Sequence, residues 1–398
     1  MATTEPRAGS AAWELPDELK LLRETVAGFV EKEIVPLEAD LDFEAYKLEP
    51  DDLARVQAKA REAGLWCVAS PERYGGAELS LLGQCIVAEE AAKCRMGAYV
   101  PAGAAFGWDP PNVIYEGTEE QIQKYAVPTI ENGEKTYVAI SEPSGGADPA
   151  RAIATTAKRD GHRYILNGTK LWITGADESR WGVVFARTDR EAGRGGITCF
   201  IVEADSPGIT MSRIPVIRPL SPCEVTFEDT PVPAENRLGE EGEGFKVAES
   251  WLVHGRVPYA AGTIGVAQAA LRIATEYAKD RSTFGRPLAQ RQAIQWMLAD
   301  SEIELRAARL LTYQAAWKAD LGQDFKTEAS VAKVYATETA GRVVDRCIQV
   351  LGGMGVSKEM PLERWYRELR IKRIGEGPSE VHRLVVARHL LGAAARDR

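Results

Sequence analysis

The chain has 398 residues, 49 of them basic and 58 acidic, for a net charge of −9 at neutral pH and a hydrophobic fraction of 45%. That length is ample for a core and for one large domain or two to three packed ones. The acidic balance argues against a nucleic-acid binder, and no apolar run is long enough to span a membrane.

The start, Met1 to Trp13, is polar and small. It has neither an apolar signal region nor the Arg-rich, acid-poor character of a transit peptide, so a cytoplasmic bacterial protein is expected. From about Pro16 to Ile130 the pattern is helical, with Leu21, Leu22, Val26 and Val30 at three- and four-residue steps. Further helices are expected around Asp51–Ala63 and Leu81–Lys93, with Pro71 to Gly76 and Pro101 to Pro111 as loops. From Glu134 to Asn236 the texture is that of strands. Tyr164 to Leu166, then Asn167-Gly168, then Thr169 to Thr174 reads as a hairpin, because Asn-Gly suits a type I′ turn. Trp181 to Arg187 and Gly196 to Val202 are two more β-rich runs, and Pro231, Pro233 and the Gly239–Gly244 stretch mark a boundary. Helical periodicity then returns to the end: Ile264, Ala267, Leu271 and Ala274 share one face, as do Ile294, Met297, Leu298 and Leu305. The expectation is an α+β chain in three blocks: 1–133 helical, 134–242 β and 243–398 helical, with ligand-binding clefts at the seams.

Six cysteines (Cys67, Cys85, Cys94, Cys199, Cys223, Cys347) show no metal spacing and sit in apolar surroundings, which suggests buried thiols in a reducing compartment. Four scattered histidines give no metal cluster, and no GxSxG, GxGxxG or Walker loop is present. Near the C-terminus, Gly375-Glu376-Gly377-Pro378 sets an acid between two glycines before a helix. Pro378 suits the first helical position, Val381, Leu384, Val385 and Leu391 continue an apolar face, and the glycines let a flat ligand approach the backbone.

Five blocks, in order, resemble the acyl-CoA dehydrogenase family over nearly the whole chain. Ser141-Glu142-Pro143-Ser144-Gly145-Gly146-Ala147-Asp148 resembles its TEPGAGSD signature, and Lys170-Leu171-Trp172-Ile173-Thr174 its K-x-W-I-T strand. Arg281 to Arg286 followed by Gln292, Gln349 to Gly355, and Glu376-Gly377 are similar to its RxxFG…Q, QxxGGxG and EGT segments. Taken singly, Trp172 would be core, Arg281 one arm of an ion pair, Gly352-Gly353 a helix cap and the Ser141 loop a turn. Their joint order carries the resemblance.

The resemblance implies a helical N-terminal domain, a middle β-domain and a C-terminal four-helix bundle, assembled as a homotetramer (a dimer of dimers). It implies FAD extended between the β-domain and the C-terminal helices. Ser141, Trp172 and Thr174 would meet the ring, while Arg281, Thr283, Phe284, Gln292, Gln349, Gly352 and Gly353 would serve the adenosine and pyrophosphate, partly across subunits. Glu376 would take the α-proton of an acyl-CoA substrate, with Arg256 orienting the base or the CoA side, and an electron-transfer flavoprotein would receive the electrons. Some members carry the base at the position of Gly255, where glycine cannot serve. This chain departs from the family pattern at Gly375, where loss of the usual Tyr is expected to open space beside the base. It also departs at Pro378 and Ala147, where hydroxyls toward FAD are lost, and at His382, where Gln is common. Rival readings are an oxygen-using flavoenzyme, either an acyl-CoA oxidase, which depends on oxygen access, or an N-hydroxylating monooxygenase, which retention of Glu376 argues against, and a non-catalytic oligomer subunit, which flavin content would separate.

Overall fold

The computed structural model describes residues 14–395. Three of the longer helices lie in the first third: α1 (Asp17–Phe29), α2 (Pro50–Glu62) and α3 (Leu81–Ala91). Helix α2 starts on a proline followed by Asp51 and Asp52 and ends with Lys59 and Arg61, the charge order that the helix dipole favours. Ser80 caps α3, its hydroxyl accepting from the Gly83 N–H at 3.2 Å. Val26 and Val30 are buried and Leu22 packs against them, but Leu21 is exposed. The apolar stripe of α1 is therefore one residue narrower than its periodicity suggests.

The middle of the chain forms one eight-stranded sheet: β1 (Tyr137–Ala139), β2 (Thr156–Asp160), β3 (Arg163–Thr174), β4 (Trp181–Arg187), β5 (Ile197–Glu203), β6 (Ile209–Arg213), β7 (Pro222–Pro233) and β8 (Arg237–Leu238). The order is β6-β7-β3-β2-β4-β5-β8, with β1 parallel to β4. The expected hairpin at Asn167-Gly168 is absent. These two residues lie inside the continuous strand β3, at a register shift against β7. Asn167 spends its amide on β7, donating to Asp229 Oδ1 and accepting from the Asp229 N–H, both at 2.9 Å. Gly168 is required because a Cβ there would lie 2.5 Å from the Thr155 hydroxyl. The chain reverses instead at Gly161-His162, between β2 and β3.

After the sheet come α4 (Gly244–Asp280), α5 (Gln292–Asp320), α6 (Lys326–Leu351), α7 (Leu362–Lys372) and α8 (Ser379–Leu391). Ile264, Ala267, Leu271 and Ala274 of α4 pack with Leu305, Ala308, Ala336, Ala340, Val343 and Leu351 in one core, against which Ile294, Met297 and Leu298 also lie. Alanine at so many contact positions lets the long helices approach closely. The apolar face expected of α8 is not core: Leu384 and Leu391 are exposed, and the buried residues are Ser379 and His382. Pro378 stands just before the helix in an extended conformation rather than inside its first turn. All six cysteines are buried and unpaired.

Candidate active site

Glu376 lies in the short connection between α7 and α8, with φ +54°, followed by Gly377 at φ +94°. A non-glycine residue in the left-handed region costs about 1–2 kcal/mol, so the connection has to be held from outside. Three donors do so. Arg256 Nε, from α4, donates to the Glu376 carbonyl at 3.2 Å. His382 Nε2, from α8, meets the same oxygen at 3.2 Å, and Lys333 Nζ, from α6, donates to the Gly377 carbonyl at 2.6 Å. His382 and Lys333 are fully buried and Arg256 nearly so.

The charge states follow from burial. His382 is pushed down to about 3 by desolvation, reinforced by Arg256 and Lys333, so it is neutral at neutral pH. It must then carry its proton on Nε2 to donate to the carbonyl, leaving Nδ1 to accept from the Ser330 hydroxyl at 3.2 Å. Lys333 is lowered to about 8 by burial, against the opposing pull of Glu376. Glu376 itself is raised: desolvation outweighs the attraction of Lys372, Arg256 and Lys333. Its Oε2 is buried without a hydrogen-bond partner. That oxygen lies 3.5 Å from where a Cβ on Gly255 would stand, so the two positions share one space.

The space expected beside the base at Gly375 is not open. A Cβ there would lie 2.6 Å from the Tyr259 hydroxyl, which comes from α4. Tyr259 therefore occupies the space next to Gly375.

The second group of predicted residues gathers at the end of β3. Lys170 is fully buried and pairs with Glu142 at 2.8 Å, and Glu142 also accepts from the Ala154 and Thr155 N–H groups. This buried pair pins the loop carrying Ser141 under β3, and the Leu171 N–H donates to the Ser141 carbonyl at 2.9 Å. A register shift between Lys170 and Ile173 and a φ of +67° at Trp172 bring its indole out of the sheet, 54% exposed. Thr174 is exposed two residues on, and its hydroxyl accepts from Arg218 Nη2 at 3.1 Å. An exposed indole, with Thr174 two residues on and the Ser141 backbone hydrogen-bonded to the residue before it, fits a planar heteroaromatic ring with polar edges.

The third group is elsewhere. Arg281 ends α4, Thr283 and Phe284 lie in the hairpin Ser282–Thr283/Arg286–Pro287, and Gln292 opens α5. Gln349 is in the last turn of α6, and Gly352-Gly353 follow it. Since α4, α5 and α6 run up and down, these residues share one end of the bundle. Phe284 is 97% exposed. Along α4, Arg281 is about 37 Å from Arg256 at ~1.5 Å per residue.

Several residues around Glu376 were not singled out from the sequence. Lys333 and Lys372 both fall in the buried register of their helices, Lys333 among Ala329, Ala336 and Ala340, and Lys372 among Leu362, Trp365 and Leu369. A lysine in an apolar register is a legible signal. Arg218, Tyr99 and Tyr259 carry no such signal, because Arg218 and Tyr99 sit in irregular segments and Tyr259 reads as ordinary core.

Comparison with known proteins agrees with this architecture. The acyl-CoA dehydrogenase N-terminal, middle and C-terminal domain families match residues 16–133, 138–230 and 242–391. The chain belongs to the acyl-CoA dehydrogenase family. It is an oxidoreductase of that class and a flavoprotein. It is 42% identical to the short-chain specific acyl-CoA dehydrogenase, mitochondrial, of Bos taurus, over 95% of this chain and 91% of that protein. Butyryl-CoA dehydrogenase from Megasphaera elsdenii superposes with a TM-score of 0.86 at 34% identity, covering 96% of this chain and all of that one. A chain in the structure "Electron transferring flavoprotein of Acidaminococcus fermentans: Towards a mechanism of flavin-based electron bifurcation" gives 0.87 at 35% identity, with coverage of 96% and 100%. The expected order of helical domain, β-domain and helical bundle is the family fold.

Proposed function

We infer that the chain carries out FAD-dependent α,β-dehydrogenation of an acyl-CoA thioester with Glu376 as the base. The observation that carries this reading is the buried, unpartnered Oε2 of Glu376 on a connection whose two carbonyls are held by three donors. An α-proton of a thioester is weakly acidic, and a carboxylate whose pKa is raised by burial is better matched to it. Arg256 acts as a positioning residue, fixing the carbonyl and through it the direction of the side chain. Bound flavin would supply the acceptor for the hydride that leaves Cβ. Ser141, Trp172 and Thr174 would hold its ring. Arg281, Thr283, Phe284, Gln292, Gln349, Gly352 and Gly353 would serve the adenosine and pyrophosphate from a neighbouring copy, a division supported by their distance from Glu376.

That division requires an oligomer, and we take it to be a homotetramer. Trp296, Ile303, Leu310 and Trp317 recur every seven residues along α5, all more than half exposed. Such a stripe is a seam for another helix, and the exposed Leu384, Leu390 and Leu391 of α8 add to the uncovered apolar surface. An electron-transfer flavoprotein fits as the electron acceptor, and the reduced, buried cysteines fit a cytoplasmic setting. The division at 133/134 and 242/243 remains the working domain description.

The test is anaerobic mixing of the purified holoprotein with a panel of saturated acyl-CoAs while following the visible flavin band. Bleaching by at least one member is expected. Flavin that no thioester bleaches would overturn the dehydrogenase reading, and bleaching followed by rapid reoxidation in air would favour an oxidase.

A further inference from the structure

Beside Glu376 the structure holds two buried basic side chains, Arg218 and Lys372, that make no contact the reaction as described uses; burial lowers Lys372 to about 7, against the pull of Glu376. Arg218, in the loop between β6 and β7, is only 5% exposed. One nitrogen donates to Thr174, while Nε and Nη1 are buried with no hydrogen-bond partner. Its guanidinium stacks on Tyr99, 3.7 Å from the ring centroid. Lys372 Nζ lies over the other side of this cluster, 4.2 Å from the Tyr99 centroid and 3.7 Å from that of Tyr259, and donates to the Ala98 carbonyl at 3.1 Å. The Tyr259 hydroxyl is also buried without a partner.

The charges do not cancel. Among the described residues Arg218 and Lys372 make no salt bridge; the nearby Glu368 pairs with Arg364 through Oε1 at 3.1 Å, and its Oε2, buried without a hydrogen-bond partner, attracts both only at longer range. Glu376, the other acid, attracts Lys372 as well as Arg256 and Lys333, so two carboxylates stand against the five basic side chains Arg218, Arg256, Lys333, Arg364 and Lys372. A buried guanidinium with two idle donors is costly unless something anionic meets it, and its fork of N–H groups matches a carboxylate.

The location decides what that anion belongs to. Dehydrogenation requires the Cα–Cβ bond to lie between the flavin and the base. Arg218 reaches in from Thr174 on the flavin side, and Lys372 and Tyr259 from the Gly375–Glu376 side. Gly255, level with the Glu376 carboxylate, and Tyr259 are four residues apart on α4, just over one turn or about 6 Å. The cluster therefore begins about one helical turn beyond the reacting carbons, and it is buried, whereas the bulky CoA must leave toward solvent.

We propose that Arg218, Lys372 and Tyr259 form a subsite for a carboxylate at the far end of a short acyl chain, making the preferred substrate an ω-carboxyacyl-CoA. This deepens the dehydrogenase reading and rests on it. The α-proton still passes to Glu376 and the β-hydride to the flavin, and the distal carboxylate takes no part in bond making.

The test compares anaerobic flavin reduction of the holoenzyme by succinyl-, glutaryl- and adipyl-CoA with reduction by neutral thioesters of matched length and by the ω-methyl esters. The best dicarboxylic substrate should exceed its ester and its neutral match at least tenfold in kcat/KM. Arg218→Gln and Lys372→Met, each checked for FAD content, should each erase that preference, and reading both guards against one variant failing to fold. A second readout without turnover is calorimetric binding of the same ligands to Glu376→Gln, where the carboxylate should tighten binding tenfold. Bleaching by neutral thioesters with no gain from the carboxylate would overturn this subsite and leave the dehydrogenase standing. A carboxylate preference that survives both substitutions would remove these residues from it. If no thioester bleaches the flavin, both readings fall.

Discussion

Lys333→Met separates the two demands that the fold places on one buried lysine. Burial lowers Lys333 from its ordinary 10.5 to about 8. Because the folded value lies below the unfolded one, the charge opposes folding below about pH 8, and the opposition fades as pH rises toward 10.5. The full penalty is about 3 kcal/mol at 1.36 kcal/mol per tenfold change in proton affinity. Against it stands the charge-assisted bond to the Gly377 carbonyl at 2.6 Å, about 1.5–3 kcal/mol. Methionine removes both, so the melting temperature at pH 7 should stay within a few degrees of wild type or rise. The loss to catalysis has no such offset. If the bond's 1.5–3 kcal/mol is expressed in the transition state through the placement of Glu376, anaerobic flavin reduction should slow by about ten- to a hundredfold. The assay is stopped-flow bleaching with the best acyl-CoA of the panel, beside a melting curve of the same preparation. A large fall in melting temperature with an unchanged reduction rate would refute the reasoning, since Lys333 would then be a structural group only.

Three further outcomes follow from contacts around the same connection and from the α5 stripe. Gly375→Ala should impair reduction, because its Cβ would meet the Tyr259 hydroxyl at 2.6 Å; Tyr259→Phe in the same chain should recover most of the loss, and no recovery would show that the collision is not with that oxygen. Moving the acid, as Gly255→Glu with Glu376→Gly, should restore measurable flavin bleaching over Glu376→Gly alone, since a Cβ at 255 lies 3.5 Å from the present carboxylate oxygen. Ile303→Lys with Leu310→Lys should break the oligomer in light scattering and release FAD together with it; release of neither would mean that the stripe is not a subunit seam.

Much of this was legible in the sequence where one physical rule acts alone. The α4 face Ile264–Ala267–Leu271–Ala274 follows from helical spacing and is core, and the runs at Trp181 and Gly196 became adjacent antiparallel strands. Reading failed where a partner from far along the chain decided the outcome. Asn167-Gly168 has the chemistry of a turn, but Asp229 and Thr155 claim it for a bulged strand. The gap expected at Gly375 is closed by Tyr259, more than a hundred residues earlier in the chain. The exposed face of α8 looks like core in sequence because apolar spacing does not say which surface will cover it. The α5 heptad from Trp296 to Trp317 was readable, and so were the lysines in the buried registers of α6 and α7. Arg218 was not, since nothing local marks a loop arginine that ends up buried.

The central claim is that Glu376 is the base, and Glu376→Gln tests it most directly. The substitution keeps size and shape, and the purified variant should retain bound FAD with a normal visible spectrum. Mixed anaerobically with an acyl-CoA that bleaches the wild type, its flavin should stay oxidised. Bleaching at an undiminished rate would contradict the account and return the proton transfer to another group.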